Sequence, residues 1–347
     1  MKRSIIACLL IVIGGRSQTT VNPDISILGD LLIERNSGDV AFSTSGVELA
    51  IQGYVNPFAR ADIFLHVHDE ESPIELEEAF LSVERGLPLG LGLKMGKFRP
   101  NFGKINREHA HTYYYILPSV PAQQILGEEM WSSPGMEADV LLPLPWYSNL
   151  SVGYYQEGIS SHAHQHIDKN ANVDTSLLEE SMIPPGFTGR WSQFLDLNQV
   201  THVEVGISHF RELGKKDPVT VLAGDIKVKW RPDIYRSLTW QAEWFQKVES
   251  AELEVQNGTR ETVRAGYIWV NYQFNRIWNT GVILDFSSNL DSKFYQSYGL
   301  FVGFSPVEES SVLRVRFHRS HHGAEDPELS LVLQMIWSLG PHKPHRF

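Results

Sequence analysis

Leu329-Ser-Leu-Val-Leu-Gln-Met-Ile-Trp-Ser-Leu339 alternates with a period of two. Leu329, Leu331, Leu333, Met335, Trp337 and Leu339 form one set, and Ser330, Val332, Gln334, Ile336 and Ser338 the other. Successive side chains of an extended strand point to opposite faces, so one face is uniformly apolar and ends near an aromatic, while the other is mixed. A helix would need apolar residues three and four apart instead. One greasy face and one mixed face is the pattern of a strand set between lipid and a lumen.

The pattern recurs along the chain. Ala59, Ala61, Ile63, Leu65 and Val67 alternate with Arg60, Asp62, Phe64 and His66. Leu222, Ile226, Val228 and Trp230 are set against Asp225, Lys227 and Lys229. Leu238, Trp240, Ala242 and Trp244 are set against Thr239, Gln241 and Glu243, and Leu313, Val315 and Phe317 against Arg314, Arg316 and His318. A charge on the lipid face at the bilayer midplane costs roughly 2–4 kcal/mol, which puts these charges on the lumen side. Strands are predicted near 24–35, 40–55, 59–69, 74–85, 90–100, 134–143, 147–157 and 187–197. Others follow near 200–212, 217–231, 236–248, 261–275, 277–288, 294–305, 310–320 and 328–340, about sixteen in all.

The connections obey a parity. Tight turns such as Asn56-Pro57-Phe58, Gly86-Leu87-Pro88, Leu144-Pro145-Trp146, Leu197-Asn198-Gln199, Arg231-Pro232-Asp233, Asn275-Arg276 and Ser305-Pro306-Val307 occupy every second connection. The long connections, 101–133 and 158–186, fall among the others. A barrel with short periplasmic turns and long outer loops has this alternation. The expected fold is therefore all-β, a transmembrane antiparallel barrel of about sixteen strands. A large soluble antiparallel protein with one wet face, for instance a secreted polysaccharide binder, is the competing reading of the alternation alone.

The N-terminus agrees with export. Lys2 and Arg3 precede an apolar run from Ile5 to Ile13, followed by Gly14, Gly15 and Ser17. This is a signal-peptide pattern, with cleavage expected between Gly15 and Thr20. Residues 1–19 are assigned to the signal and 20–347 to one barrel domain. Cys8, the chain's one cysteine, lies within the signal, so the mature chain offers neither disulfide nor thiol chemistry. A net charge of −11 argues against a nucleic-acid partner. Nine Trp, twelve Tyr and seventeen Phe suit the aromatic girdles of a membrane barrel. No Gly-x-Ser-x-Gly elbow, His-Glu-x-x-His or phosphate-cradling glycine loop is present, and no enzymatic activity is expected.

Two stretches carry a family likeness. One is Gly46-Val-Glu-Leu-Ala-Ile-Gln-Gly-Tyr-Val-Asn-Pro-Phe-Ala-Arg-Ala-Asp62, leading to Glu75-Leu-Glu-Glu-Ala-Phe80. The other is Gly96-Lys-Phe-Arg99, Phe102-Gly103-Lys104, Asn106, His109 and His111, then Leu126-Gly127-Glu128. Together with the ending Gly340 to Phe347, they resemble a bacterial outer-membrane porin-like family, often labelled zinc-regulated outer-membrane receptor and related to the phosphate-selective porins. The resemblance implies a sixteen-stranded outer-membrane barrel that passes small solutes. An energy-coupled receptor would need 22 strands and an N-terminal plug, for which the sequence ahead of the first strand leaves no room.

The pore-lining set is Glu48, Arg60, Asp62, Glu78, Asp225, Lys227, Lys229, Glu243, Asp285, Arg314 and Arg316, with Glu84 beside it. Mixed charge across a wet lumen makes a transverse field, and rings of charge set ionic selectivity. Salt bridges that only brace the wall would use the same residues. Loop 101–133 is too long for a hairpin and is expected to fold inward as a constriction, carrying Arg107, Glu108, His109, His111 and Tyr113, with Tyr113-Tyr114-Tyr115 wedging it against the wall. His162, His164 and His166 alternate, with Asp168 nearby, a set able to hold zinc or another divalent metal if the segment is extended. No cofactor is required. The expected partners are outer-membrane lipids, small hydrophilic solutes or ions (divalent metal and phosphate among them), the outer-membrane assembly machinery through Phe347, and a homotrimer. A barrel plugged by its loops, acting as a surface receptor or metal-capture protein, is the alternative.

Overall fold

A computed structural model describes residues 23–36, 39–44, 46–67, 74–159, 184–250, 260–290, 293–307 and 310–340. The strands are β1 (Asp24–Asn36), β2 (Asp39–Ser43), β3 (Val47–Asn56), β4 (Ala59–Val67), β5 (Glu75–Val83), β6 (Leu91–Phe98), β7 (Ser133–Leu141) and β8 (Tyr147–Tyr155). They continue as β9 (Gly186–Asn198), β10 (Thr201–Glu212), β11 (Thr220–Trp230), β12 (Ser237–Ser250), β13 (Arg260–Gln273), β14 (Trp278–Leu290), β15 (Lys293–Val307), β16 (Ser311–His322) and β17 (Glu328–Leu339). Neighbours in sequence pair antiparallel, and β17 returns to β1 in register from Ile27↔Leu339 to Asn36↔Ser330. The sheet is thus closed and has no free edge, as backbone in a hydrocarbon environment requires.

β2 and β3 are two pieces of one barrel strand. Both pair with β1, as Ile33↔Phe42 and Gly29↔Val47. The interruption falls where Thr44 Oγ1 donates to the Asp30 carbonyl at 2.8 Å and Gly46 takes φ +110°. A Cβ on Gly46 would press on the Val67 carbonyl and His66. Counting β2 and β3 as one gives a closed barrel of 16 strands, the number expected from sequence. The predicted strand over 40–55 differs only in this break.

The two ends of the barrel are built differently. At one end, Asn56 Oδ1 accepts from Phe58 and Ala59 N–H at 2.8 and 2.9 Å, and Asn275 Oδ1 from Ile277 and Trp278 at 2.8 and 3.0 Å. Asp233 and Asn198 cap their turns in the same way. Such side chains mimic a backbone turn, so two or three residues suffice to reverse the chain. The connections 99–132 and 156–185 leave from the other end.

Polarity is inverted relative to a soluble core. Leu222, Ile268, Val282, Leu300 and Leu333 are exposed on the outside, whereas Asp62, Ser208, Gln241, Glu243, Asp285 and Gln334 are buried inside. Trp230, Phe274, Trp278 and Trp337 stand outward near the tight-turn end, and Phe42, Tyr154, Phe187 and Phe294 near the other. Two aromatic belts around an apolar band mark a membrane-embedded barrel. Among the described residues, no helix is long and apolar enough to cross a membrane. Residues 1–19, where a signal peptide is expected, and Phe347 lie outside the described residues.

Candidate functional site: a loop across the lumen

Residues 99–132 leave β6, turn into the barrel and cross it. They contain short 3₁₀ turns over Ile105–Arg107 and Ala110–Thr112 and one helix, α1 (Val120–Leu126). Phe102, Ile105, Ala122, Ile125, Leu126 and Trp131 have no solvent exposure. They pack on aromatic side chains that the wall turns inward, Phe98, Tyr155, Phe210, Phe245, Tyr267 and Phe301. Trp131 meets Phe210 edge-on at 5.2 Å and Tyr155 at 5.0 Å. Tyr113 stacks on Tyr115 at 5.2 Å, and both Tyr114 and Tyr115 lie against Trp269. The apolar side of the loop therefore fills one side of the lumen, as a small hydrophobic core within the barrel.

Polar ties hold it to that wall. Glu243 accepts the Lys104 and Ile105 N–H groups at 2.8 and 3.0 Å, and the Tyr267 hydroxyl at 2.7 Å. Gly103 makes this approach possible: its φ is +61°, and a Cβ there would overlap the Glu243 carboxylate. Its N–H donates to Ser208 Oγ at 3.0 Å, and Lys104 pairs with Glu204. Further round, Arg314 donates to the His111 carbonyl at 3.1 Å, and Arg316 to those of Tyr115 and Leu117 at 3.1 and 3.2 Å. The Asn106 amide ties the loop to itself, donating to Pro100 and Trp131 carbonyls and accepting from Trp131 N–H.

The opposite wall holds the loop by charge. His109 Nδ1 lies 3.1 Å from Glu48, and its Nε2 3.1 Å from Glu78, with Glu77 at 3.7 Å. With a carboxylate on each ring nitrogen, the ring donates twice and is an imidazolium. Burial works to lower its pKa, but the Glu48 and Glu77 charges outweigh this and hold it up to about 10. His111 Nδ1 is 3.6 Å from Glu48. Arg99 pairs with Glu77 and donates to the Glu108 carbonyl at 2.6 Å. Burial pushes the Glu108 carboxyl up, and burial lowers the Lys104 amine despite Glu204.

Among the described residues, two cavities flank the loop. One, of about 190 Å³, is lined by Gln52, Lys94, Lys104, Arg107, Glu108 and Lys227 towards the tight-turn end. The other, of about 330 Å³, is lined by Asp30, His66, Glu77, Glu128 and Glu129 towards the long-loop end. Glu48, Arg99, His111 and Tyr113 border both and form the partition between them.

Glu48, Arg60, Asp62, Glu78, Asp225, Lys227, Lys229, Glu243, Asp285, Arg314 and Arg316 all occupy inward-facing strand positions, where the alternation of each strand places them. Their neighbours differ. Glu48 and Glu78 hold His109, Glu243 caps the loop backbone, and Arg314 and Arg316 bind loop carbonyls. Asp225 is locked with buried Arg190 at 2.5 and 3.0 Å, and Arg60 with Asp62 at 3.0 Å. Arg107, Glu108, His109, His111 and Tyr113 line the smaller cavity. His162, His164, His166 and Asp168 lie outside the described residues. Sequence reasoning missed Arg99, Lys104, Glu77, Arg190 and the inward aromatics. One signal was legible: Gly266-Tyr267-Ile268-Trp269 puts aromatics on the face where a wet lumen would want polar groups.

No family model matches the chain. It is 24% identical over 335 residues to an uncharacterized protein of Aquifex aeolicus, covering 88% of this chain and 70% of that one. Among solved structures, a loop-deletion form of OmpT, an outer membrane protein of Vibrio cholerae, superposes with a TM-score of 0.61 at 9% identity over 92% of this chain and 99% of that one. The outer membrane channel DcaP of Acinetobacter baumannii gives 0.58 at 12% over 93% and 99%. An anion-selective porin from Comamonas acidovorans gives 0.58 at 8% over 92% and 100%. The fold is that of an outer-membrane porin barrel, an architecture of the bacterial outer membrane.

Proposed function

We propose that this chain is a passive outer-membrane channel for small hydrophilic solutes or ions, with residues 99–132 as its selectivity element. The observation that carries this is the loop tied to facing walls of the lumen, through Glu243 on one side and Glu48 and Glu78 on the other, with cavities bordered by charged side chains left on either side of it. A solute on this route passes charged groups held at fixed positions, which is how a filter discriminates.

The smaller cavity favours an anion. Lys94, Arg99, Lys104, Arg107 and Lys227 border it against Glu48, Glu78 and Glu108. A phosphate-sized anion suits that lining better than a divalent metal. Glu48, Glu77 and His109 do bring ligand atoms within 4.8 Å of one another. A metal there would first have to displace the imidazolium proton that the same carboxylates stabilise. A second reading, a plugged and non-conducting barrel, draws on the partition between the cavities.

Planar-bilayer recording separates the two. Single-channel steps with a reversal potential on the anion side in asymmetric salt support the proposal; a silent bilayer with folded protein favours the plug. Deleting 108–125 should raise conductance, and an unchanged step size would remove the loop from the pathway. We expect the channel to assemble as a homotrimer, read by native mass spectrometry.

A further inference from the structure

The outer surface carries a feature that transport does not use. On β14–β17, near the long-loop end, lies an open groove of about 860 Å³ facing the lipid. Val282, Leu284, Leu300, Phe317, Leu329 and Leu331 line it. One row of cross-strand partners runs Arg35, Leu331, Phe317, Leu300, Val282. The next row towards the loops runs Leu329, Arg319, Tyr298, Leu284. An apolar trough thus has Arg35 at one edge and Arg319 above its middle. The Arg319 guanidinium lies 6.0 Å from the Tyr298 ring, whose hydroxyl is 3.4 Å from His321 Nε2.

Neither arginine has a carboxylate in ion-pair reach among the described residues. The acids of the groove's own strands, Asp24, Asp30, Glu34, Asp285 and Glu328, sit at positions that alternate to the interior. An outward arginine is tolerated on a barrel only towards the interface, where it meets headgroups. A second copy packed groove to groove about a two-fold axis would bring these strands' own apolar and basic surface, not an acid.

We propose that this groove binds a phosphate-bearing lipid of the outer leaflet, with acyl chains along Phe317 and Leu300 and a phosphate between Arg35 and Arg319. Guanidinium forks match phosphate oxygens in pairs, and the trough removes chain surface from the surrounding lipid at the same time. Tyr298 and His321 border the headgroup as further hydrogen-bonding groups. The inference concerns the outside of the barrel and stands whether or not the lumen conducts.

The test uses the full barrel purified in detergent, with lipid A carrying two phosphates as the probe. Native mass spectrometry should show a retained lipid on the natural chain and weaker retention of dephosphorylated lipid A. The double variant Arg35→Ser, Arg319→Ser should bind the phosphorylated probe at least about tenfold more weakly, the loss expected for charge-assisted bonds. Heat-modifiable gel mobility shows that the variant has folded, and its conductance should match that of the natural chain. Equal retention of the two probes, or unchanged binding by the folded double variant, would overturn the proposal. So would dissociation of an oligomer by the double variant without loss of lipid, which would assign the groove to a second copy.

Discussion

His109 is the side chain on which the loop's charged attachment turns. Its pKa is raised from 6.5 to about 10, so its contribution is full below about pH 6.5 and is lost as pH rises through about 10. Loop attachment should therefore weaken on the alkaline side, seen as rising open-channel noise between pH 8 and 11 at constant salt. His109→Ala removes the cation between Glu48 and Glu78, leaves each carboxylate one donor short, with His111 still beside Glu48 and the Arg99 N–H still on Glu78, and should cost about 1–3 kcal/mol of loop attachment. It should show the noisy behaviour already at pH 7; a quiet His109→Ala channel would mean that the aromatic packing alone holds the loop. Lys227 is the corresponding probe of selectivity. A unit charge about 7 Å from an ion in water is worth about 0.6 kcal/mol, or a factor of about three, so Lys227→Glu should shift the anion-to-cation permeability ratio by several-fold towards cations.

The loop's path depends on Gly103. Any side chain there meets the Glu243 carboxylate, and φ +61° is costly for a residue with a Cβ. Gly103→Ala should free the Lys104 and Ile105 N–H groups from Glu243 and leave the barrel folded. The expected readout is an altered conductance with unchanged heat-modifiable mobility. The same element shows what a sequence does and does not make legible. That 99–132 enters the lumen was readable from its length between two strands of a barrel. Its contacts were not, because Gly103, Lys104 and Ile105 act through Ser208 and Glu243, more than a hundred positions away. The strands were legible because alternation is local. Only the break at Thr44–Gly46 escaped, since it depends on a tertiary bond to Asp30.

The barrel's inside and outside were distinguishable from charge placement, but the wall's inward aromatics were not expected. A lumen predicted as wet throughout proves to be dry on the side where Phe210, Phe245 and Phe301 meet the loop. The reason is physical: an aromatic on the lumen face is costly only if water reaches it, and the loop keeps water out. The outer face obeys the simpler rule. Ile268→Arg places a charge in the middle of the apolar band and should lower folding stability by roughly 2–4 kcal/mol, measured by urea titration in vesicles. A shift under about 0.5 kcal/mol would put that position outside the hydrocarbon and require the band to be redrawn.

The loop's most distant anchors have a bearing on how the chain is made. His111, Tyr115 and Leu117 are bonded by Arg314 and Arg316, which follow them by 203, 201 and 199 positions. These anchors come from β16, one strand from the β17–β1 seam that closes the barrel. The segment therefore has all of its holders only once β16 is in the wall and the seam has closed beside it. Pairings so remote in sequence form slowly. Production of the native state should thus be limited by this late capture, and cylinders that shut too early would leave the segment stranded outside.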